Sequence, residues 1–370
     1  MILKKDRPAN WQLVCNRKEI PRNRPEQRTF LASRPGAARL ATTKKLVRLA
    51  LGFALAVLFL WLILRQIELT EVSRAFTGAD SIWIIAALSA FSAGYTCRIE
   101  RWRVMLQRDN PDLKWTGCAG PLLASFAINN VLPFRSGDVL RSFAFTRSLG
   151  VTSGVVVATL FVERLLDFLM LLIALGMALM LAGTSTAALT GAGGSALMAV
   201  AIAASLLLLF PSFFAPLLLT AGRMISRLSP AVGSKVSDEI NKGLTTLQHL
   251  ASYRTMFKLI SWSVAAWFAE GCLFWFAALA LPSITVPRAS WLALPVGTLA
   301  TLIPSTPGYV GTFDYFTIRA MAELGNSATA ATAYALLVHL LLWLPPTLIG
   351  GLYLVFHYLR SSERRQLLQS

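Results

Sequence analysis

Three stretches of this chain set ionisable and backbone-breaking residues within apolar sequence, where such residues cost most and can do chemistry. The first reads Asn129-Asn130-Val131-Leu132-Pro133-Phe134-Arg135-Ser136-Gly137-Asp138-Val139-Leu140-Arg141. Pro133 and Gly137 end one helix and allow a sharp turn, and Ser136 or Asp138 can cap the next. A helix start offers unpaired N–H groups and the positive end of a dipole, which suits phosphate. Arg135 lies just before that start, and Arg141 stands within i,i+3 reach of Asp138. Asn129, Asn130, Arg135, Asp138 and Arg141 are therefore candidates for holding a phosphodiester or pyrophosphate headgroup. The competing account is an ordinary cytoplasmic loop whose arginines follow the positive-inside rule.

The second stretch is Glu163, Arg164 and Asp167 in the otherwise apolar segment 155–183. At about 100° per residue the three share one arc of a helix, roughly 100° wide, with Thr159 adjoining it. Each charge costs roughly 2.5–3.5 kcal/mol at a bilayer centre. They must therefore pair and face protein or water, and Arg164 with Asp167 is the expected i,i+3 pair. A polar path or proton relay is the functional reading; a structural ion pair near the membrane surface is the plainer one.

The third stretch is Pro304-Ser305-Thr306-Pro307-Gly308-Tyr309-Val310-Gly311-Thr312-Phe313-Asp314. Pro304, Pro307, Gly308 and Gly311 cannot continue a helix, and broken backbone at membrane depth survives only in protein or against a cavity. Ser305 or Thr306 before Pro307 reads as a cap and first-turn proline, with Asp314 about two turns into the following helix. A plain outside loop with an exposed Asp314 is the other account. Glu270 and His339 are each isolated in an apolar span; they are relay candidates or partners for Arg164, and for His339 a helix–helix hydrogen bond is the simpler role. Arg98, Arg101 and Trp102 read as an interfacial anchor.

The elements that must position these groups follow from composition. The chain has 370 residues, 55% hydrophobic and 14% charged, and a mean hydropathy of +0.58. A soluble domain carries about a quarter charged residues. Full spans are expected near 47–66, 81–97, 152–182, 196–219, 258–281 and 329–358, each near the roughly 20 residues a bilayer requires. Shorter apolar stretches at 117–133 and 291–303 are broken and read as re-entrant helical hairpins; hydropathy alone would give about eight spans.

Basic residues in the N-terminal tail, in 98–116, in 220–257 and at the C-terminal end put these segments in the cytoplasm, while 183–195 is uncharged. Six spans then alternate correctly with both termini inside. Each half would hold three spans and one hairpin, in opposite orientations. Pro133-x-x-x-Gly137 and Pro307-x-x-x-Gly311 echo one another, as in a 3+3 inverted repeat of the transporter kind; two unrelated breaks would look the same. The fold class is thus all-α integral membrane.

The net charge of +17 is uneven. Residues 1–45 hold twelve Lys and Arg against Asp6, Glu19 and Glu26. This basic tail reads as disordered and cytoplasmic, facing the anionic leaflet rather than nucleic acid. The transmembrane domain is expected at 46–359 and a short cytoplasmic end at 360–370. Four scattered cysteines, Cys15, Cys97, Cys118 and Cys272, suggest neither disulfide nor zinc site. No cofactor is expected, and no nucleotide-binding loop is present.

Together the three stretches resemble the transmembrane, flippase-like domain of the lysylphosphatidylglycerol synthase family, in which stand-alone members lack the synthase. Asn130, Leu132, Pro133, Arg135, Gly137, Asp138 and Arg141 match its Asn, Leu-Pro-x-Arg-x-Gly-acid and downstream Arg. Glu163, Arg164 and Asp167 match a Glu-Arg-x-x-Asp, and Pro304, Pro307, Gly308, Gly311 and Asp314 match a Pro-x-x-Pro-Gly-x-x-Gly-x-x-acid. Arg101-Trp102 is also similar to a family feature. The resemblance covers about 45–358. Asp138 and Asp314 stand where Glu is frequent, which shortens reach and bears on headgroup specificity. Without a cytosolic aminoacyl-transfer domain, lysine transfer is not expected.

The resemblance implies translocation of an anionic phospholipid or polyprenyl-phosphate lipid between leaflets of a bacterial inner membrane, or service with partner proteins of an envelope-lipid or polyprenyl-glycan pathway. A headgroup or glycosyl transferase is the enzymatic alternative, for which Glu68, Glu71 and Asp80 are a thin acidic set. A non-transporting accessory protein is the third.

Overall fold

The computed structural model describes residues 76, 78–132, 135–182, 199, 200, 203, 216, 219, 220, 230–303 and 307–367. The basic tail, the span expected at 47–66, the connection 183–195, most of 196–219, Pro133 and Pro304 lie outside the described residues. Every regular element among those described is helical. In chain order they are α1 (Ser81–Leu106), α2 (Trp115–Val131), α3 (Ser136–Ala144), α4 (Thr146–Leu149), α5 (Ser153–Ala182), α6 (Pro230–Leu250), α7 (Tyr253–Leu279), α8 (Ser290–Ala300), α9 (Thr312–Glu323) and α10 (Ala328–Leu367).

Three of the described helices are long and apolar enough to cross a membrane: Ser81–Leu106, Tyr253–Ala280 and Ala328–His357. The protein is an all-helical membrane protein. Asp80 caps α1 by accepting a 2.9 Å hydrogen bond from the Ile82 N–H, which satisfies one of the orphan donors of the first turn. α1 then runs on through Leu106. Arg98, Arg101 and Arg103 therefore lie on a helix and not in the expected loop, because Asp109 to Leu113 supply the turn instead. Likewise the expected polar connection 220–257 contains α6, an amphipathic helix packed on α5. There the Gly154 N–H donates to Glu239 Oε2 at 2.6 Å.

Small residues set the close helix pairs, the usual device where lipid gives helices no hydrophobic reason to associate. α1 packs along α7, with Gly94 against the Ala266 carbonyl. α10 packs along α2, where Gly350 faces the Leu123 carbonyl and Gly120 faces Tyr353. α10 also carries Pro345 and Pro346 in its interior, where two intrahelical donors are missing.

Each interrupted apolar stretch folds back on itself. α2 ends at Leu132, and α3 returns along its last turns; a Cβ on Gly137 would stand 1.9 Å from the Ser125 carbonyl oxygen. α8 and α9 make the second hairpin, and a Cβ on Gly297 would stand 2.3 Å from Thr317 Oγ1. The break between α8 and α9 passes through a 3₁₀ turn at Pro307–Tyr309. Glycine at the contact is what lets both pairs of arms touch.

Candidate functional site

The two breaks meet at a cavity of about 480 Å³. From the first hairpin it takes Phe126, Asn129, Asn130 and Arg135; from the second, Thr298, Thr301, Leu302 and Tyr309. α5 contributes Phe161, Arg164, Asp167 and Phe168, while Tyr95, Arg98, Trp267 and Glu270 come from the α1–α7 pair. The wall is thus largely aromatic and aliphatic with a few charged groups.

Backbone conformation marks both breaks. Among the described residues, the non-glycine residues at positive φ are Arg135 at 50° and Tyr309 at 61°, and both line the cavity. A bulky residue in the left-handed region costs of order 1–3 kcal/mol and persists only where its surroundings enforce it. The expected cap from Ser136 or Asp138 is not what is found: Arg135 itself is the N-cap of α3, and Asp138 sits in the first turn.

The first break is held from within. Asn129 Oδ1 accepts from the Gly137 N–H at 2.8 Å, and its Nδ2 donates to Asp138 Oδ1 at 3.1 Å. Asn130 reaches α10, donating to Thr347 Oγ1 at 2.9 Å and the Trp343 carbonyl at 3.2 Å. Trp343 Nε1 returns a 3.3 Å hydrogen bond to the Asn130 carbonyl. That indole nitrogen also lies 2.8 Å from where a Cβ on Gly308 would be, so Trp343 touches both breaks.

The charges pair across helices rather than along them. Arg164 donates to both oxygens of Asp138, at 2.9 and 3.1 Å, and stands 4.0 Å from Asp167. The i,i+3 pair expected from sequence is thus present at 4.0 Å, and the cross-helix pair to Asp138 is the shorter one. Asp167 instead accepts from Arg101 at 2.8 Å and from Trp267 Nε1 at 3.2 Å. Arg101 also donates to Ser263 at 2.9 Å. Arg98 pairs with Glu270 between the rings of Tyr95 and Trp267. Glu270 is therefore a partner of Arg98, not of Arg164.

Arg141 does not face the cavity. It is fully buried, bonds both oxygens of Glu163 at 3.0 and 3.1 Å, and lies 4.7 Å over the Trp102 ring. Glu163 is equally buried and is absent from the cavity wall. In sequence, i,i+3 reach to Asp138 made Arg141 look like a headgroup ligand; on α3 it points to α1 and α5 instead. Asp314 also differs from expectation. It is in the first turn of α9, not two turns in, because the helix starts at Thr312 with Gly311 as N-cap. Its Oδ2 accepts from the Gly311 N–H at 2.9 Å, and its Oδ1 meets His339 Nδ1 at 2.7 Å. Neither Asp314 nor His339 lines the cavity.

Arg98, Arg101 and Trp102 also lie elsewhere than expected. Arg101 and Trp102 are among the most buried side chains, not interfacial anchors. Their i, i+3, i+4 spacing was the available signal, since it places all three on one helical face.

This geometry joins all three motifs of the sequence around one cavity and its supports. The chain matches the model of the lysylphosphatidylglycerol synthase transmembrane region over residues 49–350. It belongs to that family. A curated relative, Glycosyltransferase AglD of Haloferax volcanii, is 27% identical over 324 residues, covering 79% of this chain and 52% of the relative. The chain thus spans about half the length of the curated relative it matches. No solved structure matches.

Proposed function

We propose that this family member is a lipid translocase of the bacterial inner membrane, binding phosphate-bearing headgroups in the cavity and passing them between leaflets. The observation that carries the reading is Arg135: a cation held in strained backbone on a cavity wall, forming no ion pair among the described residues. Arg135 is half-buried on that wall, and a lipid phosphate would give its guanidinium a charge-assisted partner. Apolar walls suit the start of the acyl or prenyl chains. In this reading α2–α3 and α8–α9 are re-entrant hairpins that open in turn, six full spans surround them in a 3+3 inverted repeat, and both termini face the cytoplasm.

The test is leaflet exchange of fluorescent anionic phospholipid in vesicles containing the purified protein. Arg135→Gln is expected to lower the exchange rate at least about tenfold, in line with the loss of one charge-assisted hydrogen bond. An unchanged rate with correctly folded variant would refute the reading.

The similarity to a protein named a glycosyltransferase supports a second reading, in which this chain serves a polyprenyl-glycan pathway as an accessory protein or transferase. Conversion of labelled lipid by the purified protein, with no leaflet exchange, would favour it.

A further inference from the structure

The two hairpins are fastened at matching positions by pairs of different chemistry. Asp138 is the third residue of α3 and Asp314 the third residue of α9, each in the first turn of the returning arm. Arg164 of α5 holds Asp138 at 2.9 Å, and His339 Nδ1 of α10 holds Asp314 at 2.7 Å. A guanidinium keeps its proton at any pH a membrane protein meets, whereas an imidazole exchanges one. The charge of the first fastening is therefore permanent, and that of the second is not.

The surroundings leave the second pair to itself. The side chains of Asp314 and His339 are 5% and 15% exposed, and the Phe313 ring stands edge-on to the imidazole. Among the elements packed on α9 and α10, α8 carries no titratable side chain, α2 carries Cys118, and the 3₁₀ turn carries Tyr309 on the cavity wall. The mid-helix ions of α7 and α1, Glu270 and Arg98, engage each other, with Cys272 and Tyr95 nearby in their helices. α9 itself carries Tyr315, Arg319 and Glu323. On α10, Tyr334 donates to the Phe274 carbonyl, and Tyr353 and His357 stack on each other further along. Among the described residues, Asp314 and His339 form ion pairs with each other and with no third group.

One proton lies between Nδ1 and Oδ1, and with that proton alone the pair carries one negative charge. A second proton, taken from water at Nε2, makes it an imidazolium carboxylate of zero net charge. The doubly protonated pair is a charge-assisted bridge, roughly twice as strong as a neutral hydrogen bond. Loss of the second proton weakens the bridge and leaves the carboxylate charge uncancelled. That change falls where it can move the hairpin. Asp314 Oδ2 accepts from the Gly311 N–H at the start of α9. His339 stands one turn before Trp343, which donates to the Asn130 carbonyl in the first hairpin. We propose that the Asp314–His339 pair is a proton-binding site that clamps the second hairpin to α10 when doubly protonated and loosens it when the second proton leaves. Resting on the translocase reading above, this makes passage through the cavity depend on the proton.

The experiment is leaflet exchange of fluorescent anionic phospholipid in vesicles held at equal pH on both sides. Exchange by the full-length wild type is expected to rise at least about fivefold from about pH 5.5 to about pH 8. His339→Gln takes no second proton and is expected to exchange at the fast rate at both values. His339→Arg gives the second fastening the permanent charge of the first and is expected to stay slow at both. The chain's other histidines are His249 and His357, and replacing either by Gln should keep the wild-type response. Amide hydrogen exchange of residues 311–318 in nanodiscs, corrected for the intrinsic effect of pH, reads the clamp without lipid movement. Protection there is expected to fall as pH rises in the wild type and to ignore pH in His339→Gln, whether or not His339→Arg folds. Wild-type protein that moves lipid equally at both pH values, or His339→Gln with the wild-type response, would overturn the proton site and leave translocation standing. Protection of α9 that follows pH only while His339 is present, in protein that moves no lipid at either pH, would sink the translocase reading and leave the proton site.

Discussion

Removing either partner of the Arg141–Glu163 pair should cost far more than removing both. The two side chains are 1% and 4% exposed and share two hydrogen bonds at 3.0 and 3.1 Å. Breaking such a buried pair from one side strands the other charge and costs about 3–5 kcal/mol. Arg141→Met should fall at the upper end, because it also removes the guanidinium from the Trp102 face at 4.7 Å, a contact that is worth up to about 2 kcal/mol when desolvated. Glu163→Leu leaves Arg141 that face but adds to the burden of a cation whose Nε and Nη1 already lack partners. The double variant Arg141→Met/Glu163→Leu replaces two buried ions by apolar groups and should lie within about 2 kcal/mol of wild type. With each single variant at about 3–5 kcal/mol and the double at no more than about 2, the expected coupling in the cycle is at least about 4 kcal/mol. Equilibrium unfolding of the four purified proteins in mixed micelles measures it. Because neither residue lines the cavity, the double variant should also keep wild-type leaflet exchange. Two single variants that each lose less than about 1 kcal/mol would refute the structural assignment of this pair. A folded double variant without exchange would return Arg141 to the ligand path.

Other consequences are equally open to measurement. Gly137→Ala forces a Cβ to 1.9 Å from the Ser125 carbonyl and 2.8 Å from Asn129 Oδ1, so the hairpin must open; a large drop in the yield of monodisperse protein is expected, whereas Gly176→Ala, with open space at its Cβ, should be silent. Asp314→Ala removes the cap of α9 and the partner of His339, for an expected loss of about 1–2 kcal/mol in the same unfolding assay. Docking of α6 on α5 should depend on acid. Partial burial raises the Glu239 carboxyl, but the Gly154 N–H and Lys242 outweigh it and hold it below its ordinary value. A carboxyl lowered in the folded state stabilises above its unfolded pKa, and that contribution disappears as pH falls through the folded value. Limited proteolysis within 230–252 should therefore quicken below about pH 4, and Glu239→Gln should quicken it at neutral pH as well.

Much of this architecture was legible in the residues themselves. Long uncharged runs have no stable home but lipid or a helical core, so the starts of α1, α7 and α10 could be placed within about five residues, although α1 continues to Leu106, past the end expected at 97. Clustered prolines and glycines disfavour continuous helix, so the breaks after Val131 and after Ala300 followed from local chemistry, although prolines and glycines are carried inside α2, α8 and α10. That Glu163, Arg164 and Asp167 must be paired also followed, because the cost of an ion in an apolar setting does not depend on the fold. The identity of the partners was another matter. Within one helix the nearest opposite charge is the natural choice, and that logic joined Arg164 to Asp167 and Arg141 to Asp138. Packing brought Asp138, Arg101 and Glu163 closer still, from helices far apart in the chain. The same holds for Arg98 and Arg101, whose burial depends wholly on α1 meeting α5 and α7. A sequence states which charges need company and where the backbone must turn, since both are local energies. Which cation of the cavity wall forms no ion pair among the described residues, here Arg135, is a property of three-dimensional neighbours, and tertiary structure alone decides it.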